Sequence, residues 1–310
     1  MSDRVPMVLD CDPGHDDAIA IVVAAHHAEL LGITTVAGNA PLEQTTRNAL
    51  ILRDLLGIDV PVHSGAVRPL LEEPRHGPHI HGITGLDGAD LPEPGRPADG
   101  TDAVAYIVDT CRRRPGTWLV GVGPLTNLAL ALRSAADLPD LVGGISVMGG
   151  GSFGNRSAVA EYNIWADPEA AAVVFGYGGP LVMAGLDVTY QLLATPERLE
   201  QLAAVPGRLA ATLTGLLRFY STGYIASHED VAGAAIHDPC AVLALTHPEL
   251  FQRRARHVAV ETRGQLTRGM TVIDRRTLVE RPPPTCAVLE HVAADDAFGV
   301  ILDAVASFSR

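Results

Sequence analysis

The stretch Val5-Pro-Met-Val-Leu-Asp-Cys-Asp-Pro-Gly-His-Asp-Asp-Ala-Ile-Ala-Ile-Val-Val23 decides how the chain is built. Val8, Leu9 and the apolar residues before them read as a short buried strand, which Pro13-Gly14 ends. From Ala18 the sequence is continuously apolar with small residues, as in a helix laid on a sheet. Four carboxylates, Asp10, Asp12, Asp16 and Asp17, therefore fall between the end of a strand and the start of a helix. Open α/β sheets form their ligand crevices at that edge. Carboxylates so close repel one another unless a cation holds them together, and an all-oxygen set points to a hard ion, calcium or magnesium, rather than zinc. Helix capping is the plainer reading, but a cap uses only one or two carboxylates.

At 310 residues the chain is long enough for a large core. Its 47% hydrophobic and 19% charged residues are ordinary globular composition. A net charge of -13 opposes binding to a nucleic acid polymer but does not exclude a small nucleotide-like ligand. Cys11, Cys111, Cys240 and Cys286 are far apart and read as reduced thiols in a cytoplasmic protein. The start does not resemble a secretion signal, and no apolar run is long enough to span a membrane.

Strand and helix signals alternate along the chain. Strands are expected at Leu30–Val36, Val60–His63, Thr117–Val122, Val142–Met148 and Pro180–Leu186. Helices are expected at Glu43–Leu56, Asp102–Cys111, Leu128–Arg133, Asp167–Phe175, Pro196–Tyr220, Cys240–Leu245 and Ala293–Ser307. Residues His257–Asp274 alternate like a hairpin, and Thr222–Ala234 reads as mobile. The rhythm predicts one α/β domain over residues 1–310, Rossmann-like, with a mostly parallel central sheet flanked by helices. Pro69–Gly100 interrupts it with proline, glycine and the histidines His76, His79 and His81, as either a disordered excursion or a ligand loop.

Polar residues gather after strands: Asp12, Asp16 and Asp17, then Asn39, His81, and Asn155, Glu161 and Asn163, with His237-Asp238 before a late helix. In a parallel sheet these loops open on one edge. Carboxylates, amides and histidines without lysine suit a neutral ligand with many hydroxyls, held on a metal. Asp10-x-Asp12 resembles the opening of the aspartyl phosphatase superfamily, but Gly14 stands where those enzymes place threonine or valine, and their downstream lysine is missing.

Taken together, Asp10-Cys-Asp-Pro-Gly-His-Asp-Asp17, Gly38-Asn39, His81-Gly-Ile-Thr-Gly-Leu86, Gly123-Pro-Leu-Thr-Asn127, Met148-Gly-Gly150, Glu161-Tyr-Asn-Ile-Trp-Ala-Asp-Pro168 and His237-Asp-Pro239 resemble the nucleoside hydrolase family, inosine-uridine preferring, in order and over nearly the whole chain. The resemblance implies an active site at the carboxyl edge of the strands, with a calcium ion on Asp12, Asp17, Asp238 and the backbone carbonyl of Val122. It implies Asp12 as general base, with Asp16, Asn39, Asn155, Glu161 and Asn163 gripping the ribose hydroxyls and Met148 packing near the sugar. It places His81 and His237 toward the base. A purine leaves more readily when protonated, which makes His237 a candidate acid, with His81, or Tyr224 and His228 closing over the base, as the alternatives. Asp10 resembles a supporting aspartate. A homodimer or homotetramer is implied on the same ground.

Each residue also has a plainer reading. Asn39 and Asn155 can cap turns, Asp238 can cap a helix, and His237 and Met148 can be core. His15, His26, His27 and His247 have no partner at metal spacing and read as surface or helix polar residues. Ile83 and Thr84 stand where purine-specific relatives place a stacking tryptophan, which favours inosine and uridine, with a pyrimidine-preferring enzyme as the alternative. A non-catalytic sugar- or nucleoside-binding module with a structural calcium is the reading from another class.

Overall fold

The first strand, β1 (Pro6–Cys11), alternates as a central strand should. Met7, Leu9 and Cys11 join one buried apolar cluster and Val8 the other, so the sheet is covered on both faces. The computed structural model describes residues 4–76, 78–227, 231–277 and 280–308; His228 and the side chain of His79 lie outside the described part. The strands that follow in chain order are β2 (Glu29–Thr35), β3 (Val62–Ser64), β4 (Trp118–Gly121), β5 (Gly144–Met148), β6 (Leu181–Ala184), β7 (Leu193–Ala194), β8 (Ala234–Ala235), β9 (Phe251–Arg256), β10 (Val258–Val260), β11 (Thr271–Ile273) and β12 (Cys286–Val292).

Eight of them form one sheet in the order β3-β2-β1-β4-β5-β6-β12-β9, parallel throughout except for the edge strand β9, which runs antiparallel to β12. The chain winds outward from β1 in one direction and from β4 in the other. Their carboxyl ends therefore flank a topological switch point, where an open sheet leaves a crevice. The single α/β domain with a mostly parallel sheet expected from the sequence is the fold observed.

Several boundaries differ. The first helix starts at His15, not Ala18, because the chain turns directly after Pro13-Gly14 and buries Asp16 and Asp17 in the first turn. The stretch read as one helix from Pro196 is two, Pro196–Ala204 and Arg208–Ser227, interrupted at Pro206-Gly207. The second continues through Thr222–Ser227, which the sequence reading made mobile; its glycine and polar residues are outweighed by burial of Tyr220 and Tyr224 on the inner face. Strands β9 and β12 were not anticipated. β9 reads Phe-Gln-Arg-Arg-Ala-Arg because an edge strand exposes most of its side chains, and β12 follows a proline run that resembles loop. The hairpin at 257–274 is present as β10 and β11. Residues 69–100 are mostly irregular, with one short helix at Pro78–His81, and they dock back onto the sheet through the bridge between His63 and Gly100.

All four cysteines are buried and unpaired. Among the described residues no helix is long and apolar enough to cross a membrane.

Asn127 holds the switch point together. Its Nδ2 donates to Asp10 Oδ1 at 2.7 Å and to the Thr35 carbonyl at 2.9 Å, while its Oδ1 accepts from the Ala66 amide at 2.8 Å. Thr34 Oγ1 gives Asp10 a second hydrogen bond at 2.6 Å. Three segments are thus tied by one buried amide. Asn127→Ala leaves a fully buried carboxylate with Thr34 alone and takes a partner from two backbone groups, and we expect a loss of about 2–4 kcal/mol in urea or thermal unfolding. A loss below about 0.5 kcal/mol would remove Asn127 from this role.

Candidate active site

At the carboxyl end of β1 the chain must hold acidic side chains in a dry place. Asp12, Asp16, Asp17 and Asp238 are each no more than 5% exposed. Asp17 is fixed in the turn it follows: Oδ1 accepts from the Asp12 amide at 3.1 Å and Oδ2 from the Gly14 amide at 2.9 Å. The capping role considered from sequence is therefore real for Asp17. It fails for Asp238, which sits at the N-cap of the helix Pro239–Thr246 without a side-chain cap hydrogen bond.

Asn39, after β2, closes over the turn. Its amide donates to Asp12 Oδ2 at 2.6 Å, and its Nδ2 reaches the Asp12 carbonyl at 3.1 Å and Asp17 Oδ2 at 3.3 Å. Backbone must approach Asp12 very closely from two loops. A Cβ at Gly38 would stand 2.0 Å from Asp12 Oδ2, and one at Gly123 would stand 2.3 Å from Oδ1, so both positions need glycine. From the far end of the chain Asp238 joins the cluster, and the His237 amide donates to Asp16 Oδ2 at 3.3 Å. One carboxylate oxygen each from Asp16, Asp17 and Asp238 lie within 4.8 Å of one another. Asp12 is outside that tightest trio. It stands beside it through the hydrogen bond to Asp17.

Burial raises the pKa of all four, and their mutual charge raises Asp12, Asp16 and Asp238 further; Asp16 is pushed up to about 8. No lysine exists in the sequence, and no arginine makes an ion pair with the four among the described residues. Oxygen donors crowded into a buried space without a protein cation are what a hard divalent ion requires, so these residues fit one.

The remaining walls come from loops after β4 and β5. The Val122 carbonyl at the end of β4 accepts from Asn163 Nδ2 at 2.8 Å, and the same nitrogen lies 3.2 Å from the Met148 carbonyl. Glu161 is buried and caps the short helix Tyr162–Ala166, accepting from the amides of Asn163 and Ile164 and, across the loop, from Gly150. Burial moves its pKa to about 7. Asn155 Oδ1 accepts from the Tyr162 amide at 3.0 Å, the turn-capping role its plainer reading gave it. Gly149–Gly154 has the Gly-x-Gly-x-x-Gly spacing of dinucleotide sites, but it leads into an irregular loop instead of a helix start.

Opposite them stand rings. His237 is held by Thr189 Oγ1 at Nδ1, 2.8 Å, and by the Tyr224 hydroxyl at Nε2, 3.4 Å. His81 lies in a stack with Tyr220 and His15. His15 was read from the sequence as a surface or helix polar residue. It is instead fully buried, because the helix begins at its position and the loop of residues 69–100 folds over it. Burial lowers its pKa to about 4 and holds that of His81 well down.

Together these groups enclose a cavity of about 290 Å³. Its lining includes the expected Asp16, Asn39, His81, Val122, Met148, Asn155, Glu161, Asn163, His237 and Asp238. Asp12 and Asp17 are not part of its wall. The wall also contains His76, Ile80, Arg156, Tyr162, Tyr220 and Tyr224. Tyr220 and Tyr224 fall at i and i+4 on the inner face of their helix, a spacing visible in the sequence but without a signal that the face meets a ligand. Neither tryptophan lines the cavity; Trp165 is covered by Arg75 and Arg156 outside it. A larger open cleft of about 450 Å³ runs past Leu193, Arg198 and Phe298, but its Arg198 and Asp295 neutralise each other at 2.7 Å.

Known proteins resemble the chain in both sequence and fold. Residues 7–298 match the family model described as inosine-uridine preferring nucleoside hydrolase. The pyrimidine-specific ribonucleoside hydrolase RihA of Shewanella sp. strain MR-7 is 41% identical, over 98% of this chain and 97% of its own. Among solved structures, a purine-preferring ribonucleoside hydrolase from Gardnerella vaginalis superposes with a TM-score of 0.92 at 32% identity, over 98% of this chain and 99% of that one. An inosine-guanosine nucleoside hydrolase superposes with a TM-score of 0.87 at 29% identity, over 97% and 98%. Matched along nearly its full length in sequence and fold, the chain belongs to the inosine-uridine preferring nucleoside hydrolase family and is an N-glycosyl hydrolase.

Proposed function

We propose that this protein is a calcium-dependent hydrolase of the N-glycosidic bond of ribonucleosides, with inosine-uridine type specificity weighted toward pyrimidines. The observation that carries the metal and the chemistry is the cluster of Asp12, Asp16, Asp17 and Asp238, buried with no cationic side chain paired to it among the described residues. The pyrimidine weighting is supported by the 41%-identical relative named pyrimidine-specific and by a base-side wall of histidine and tyrosine without tryptophan.

Asp12, Asp17, Asp238 and the Val122 carbonyl would hold the ion, which supplies Lewis-acid polarisation of the attacking water when bound. Asp12 takes the proton from that water as its oxygen bonds to the anomeric carbon. Asp16, Asn39, Asn155, Glu161 and Asn163 orient the ribose through its hydroxyls, and Met148 packs beneath the sugar. The carboxylates also stabilise positive charge that develops on the ring as the bond to the base breaks. His81 and His237 face the base, and His237 delivers a proton to the leaving ring. Its Thr189 contact holds one ring nitrogen and the Tyr224 hydroxyl stands at the other, so the plane of the ring is fixed from both sides. A binding module would share the hydroxyl contacts but has no use for a buried base beside the metal ligands, and release of free base and ribose separates the two.

Elemental analysis of protein purified without added metal should find one calcium per chain, and Asp238→Asn should lower that occupancy; zinc, or no metal at all, would refute the ligand set. Uridine should exceed 2′-deoxyuridine in kcat/KM by roughly tenfold to a hundredfold, since each hydroxyl partner left buried and unpaired costs about 1–3 kcal/mol. Equal values would defeat the ribose assignment. For His237→Ala we expect kcat/KM on inosine to fall by about two decades or more, with a smaller fall on uridine, whose base can leave with charge on its carbonyl oxygens. Equal small losses on both substrates would make His237 a packing residue.

A further inference from the structure

His81 is not free to turn. Its Nδ1 lies 3.1 Å from Nδ1 of His15, and the backbone N–H of His15 points to the same nitrogen at 3.4 Å. His15 is anchored in turn, since its Nε2 lies 2.8 Å from the carbonyl of Asp87. A carbonyl only accepts, so His15 Nε2 carries a hydrogen and the His15 ring has one orientation. The anchor is itself rigid. The Asp87 carboxylate accepts from the amides of Ile83 and Thr84 and from the Thr84 hydroxyl, closing the turn in which Gly82 and Gly85 adopt positive φ.

Rings enforce the same arrangement. His15 stacks on His81 with centroids 5.3 Å apart and on Tyr220 at 5.3 Å, with Phe219 at 5.6 Å. On the side of the turn, Gly14 makes room: a Cβ there would stand 2.6 Å from His81 Nδ1. The other nitrogen of His81, Nε2, takes no hydrogen bond from a described residue, while its ring forms part of the cavity wall. With its one hydrogen on Nε2, neutral His15 can only accept at Nδ1, so the shared hydrogen lies on Nδ1 of His81 and commits that nitrogen to the protein side, in preference to the longer 3.4 Å contact from the His15 amide.

We propose that His15 is a positioning residue, anchored on the Asp87 carbonyl, that holds Nδ1 of His81 so that Nε2 alone meets the nucleobase. This rests on the reading above that His81 faces the base, and it adds a reason why the contact is directional. A base is then sensed by the one polar group it can present to Nε2, with the ring orientation set before substrate arrives.

The test uses the full chain labelled with ¹⁵N-histidine, with His81 signals assigned by their loss in His81→Gln. In the wild type a coupling across the hydrogen bond between the two Nδ1 nuclei is expected, and its absence overturns the proposal without any variant. In His15→Phe, which keeps the stack and removes the partner nitrogen, the His81 Nδ1 resonance should move. There kcat/KM for uridine should fall about tenfold, mainly through KM, as for one lost hydrogen bond. His15→Asn, whose amide oxygen can stand near the lost nitrogen, should recover to within about threefold of wild type. An unmoved His81 Nδ1 resonance in folded His15→Phe overturns the proposal whatever the activity does. If the wild type releases no base from any ribonucleoside, the proposed function fails instead, and the coupling still reports whether His15 holds His81.

Discussion

The structure depends on like charges being kept together where they would separate if free. Asp12, Asp16, Asp17 and Asp238 are taken out of water at one point, and burial alone pushes each toward its protonated form. Such a cluster survives only with protons or a metal ion to offset the charge. The fold accordingly spends its most rigid features there: the end of the central strand, the first turn of the helix His15–His27, and the carboxyl end of β4 across the switch point.

Support for that point is backbone-rich, and this keeps it compatible with a divalent ion. Asp17 is held by two amides and Asp12 by one, and among the described residues no positive side chain pairs with the oxygens. Asn127 and Thr34 serve Asp10 one step further from the cavity, where a wrong rotamer would shift β1 itself. Gly38 and Gly123 let two loops close against Asp12 at distances that any side chain would prevent.

The other half of the cavity is built on different physics. Rings from the loop of residues 69–100, from the helix Arg208–Ser227 and from His237 stack and share hydrogen bonds, giving an apolar wall with a few directed polar atoms. In the proposed reading a sugar meets charge and amides at one end, while a base meets rings at the other. This division matches a ribonucleoside, whose two halves differ in the same sense.

Much of this was legible in the sequence because local patterns carry it. Apolar strands before polar turns gave the parallel α/β class, and the Asp10–Asp17 block with Asn39, Glu161-Tyr-Asn163 and His237-Asp238 gave most of the site. Local patterning failed where burial is decided by distant segments. β9 is polar because it lies at an edge, and only pairing with β12 makes it a strand. Thr222–Ser227 is helical because Tyr220 and Tyr224 are buried against groups far away in sequence. His15 has the sequence surroundings of a solvated helix residue, yet residues 81 and 87 cover it and couple it to His81. Sequence alone therefore determined which chemistry-bearing residues lie at the carboxyl edge, since strand and loop periodicity is local. Which of them touch, and which ring faces the cavity, was decided by tertiary packing, because those contacts join segments whose patterns carry no information about one another.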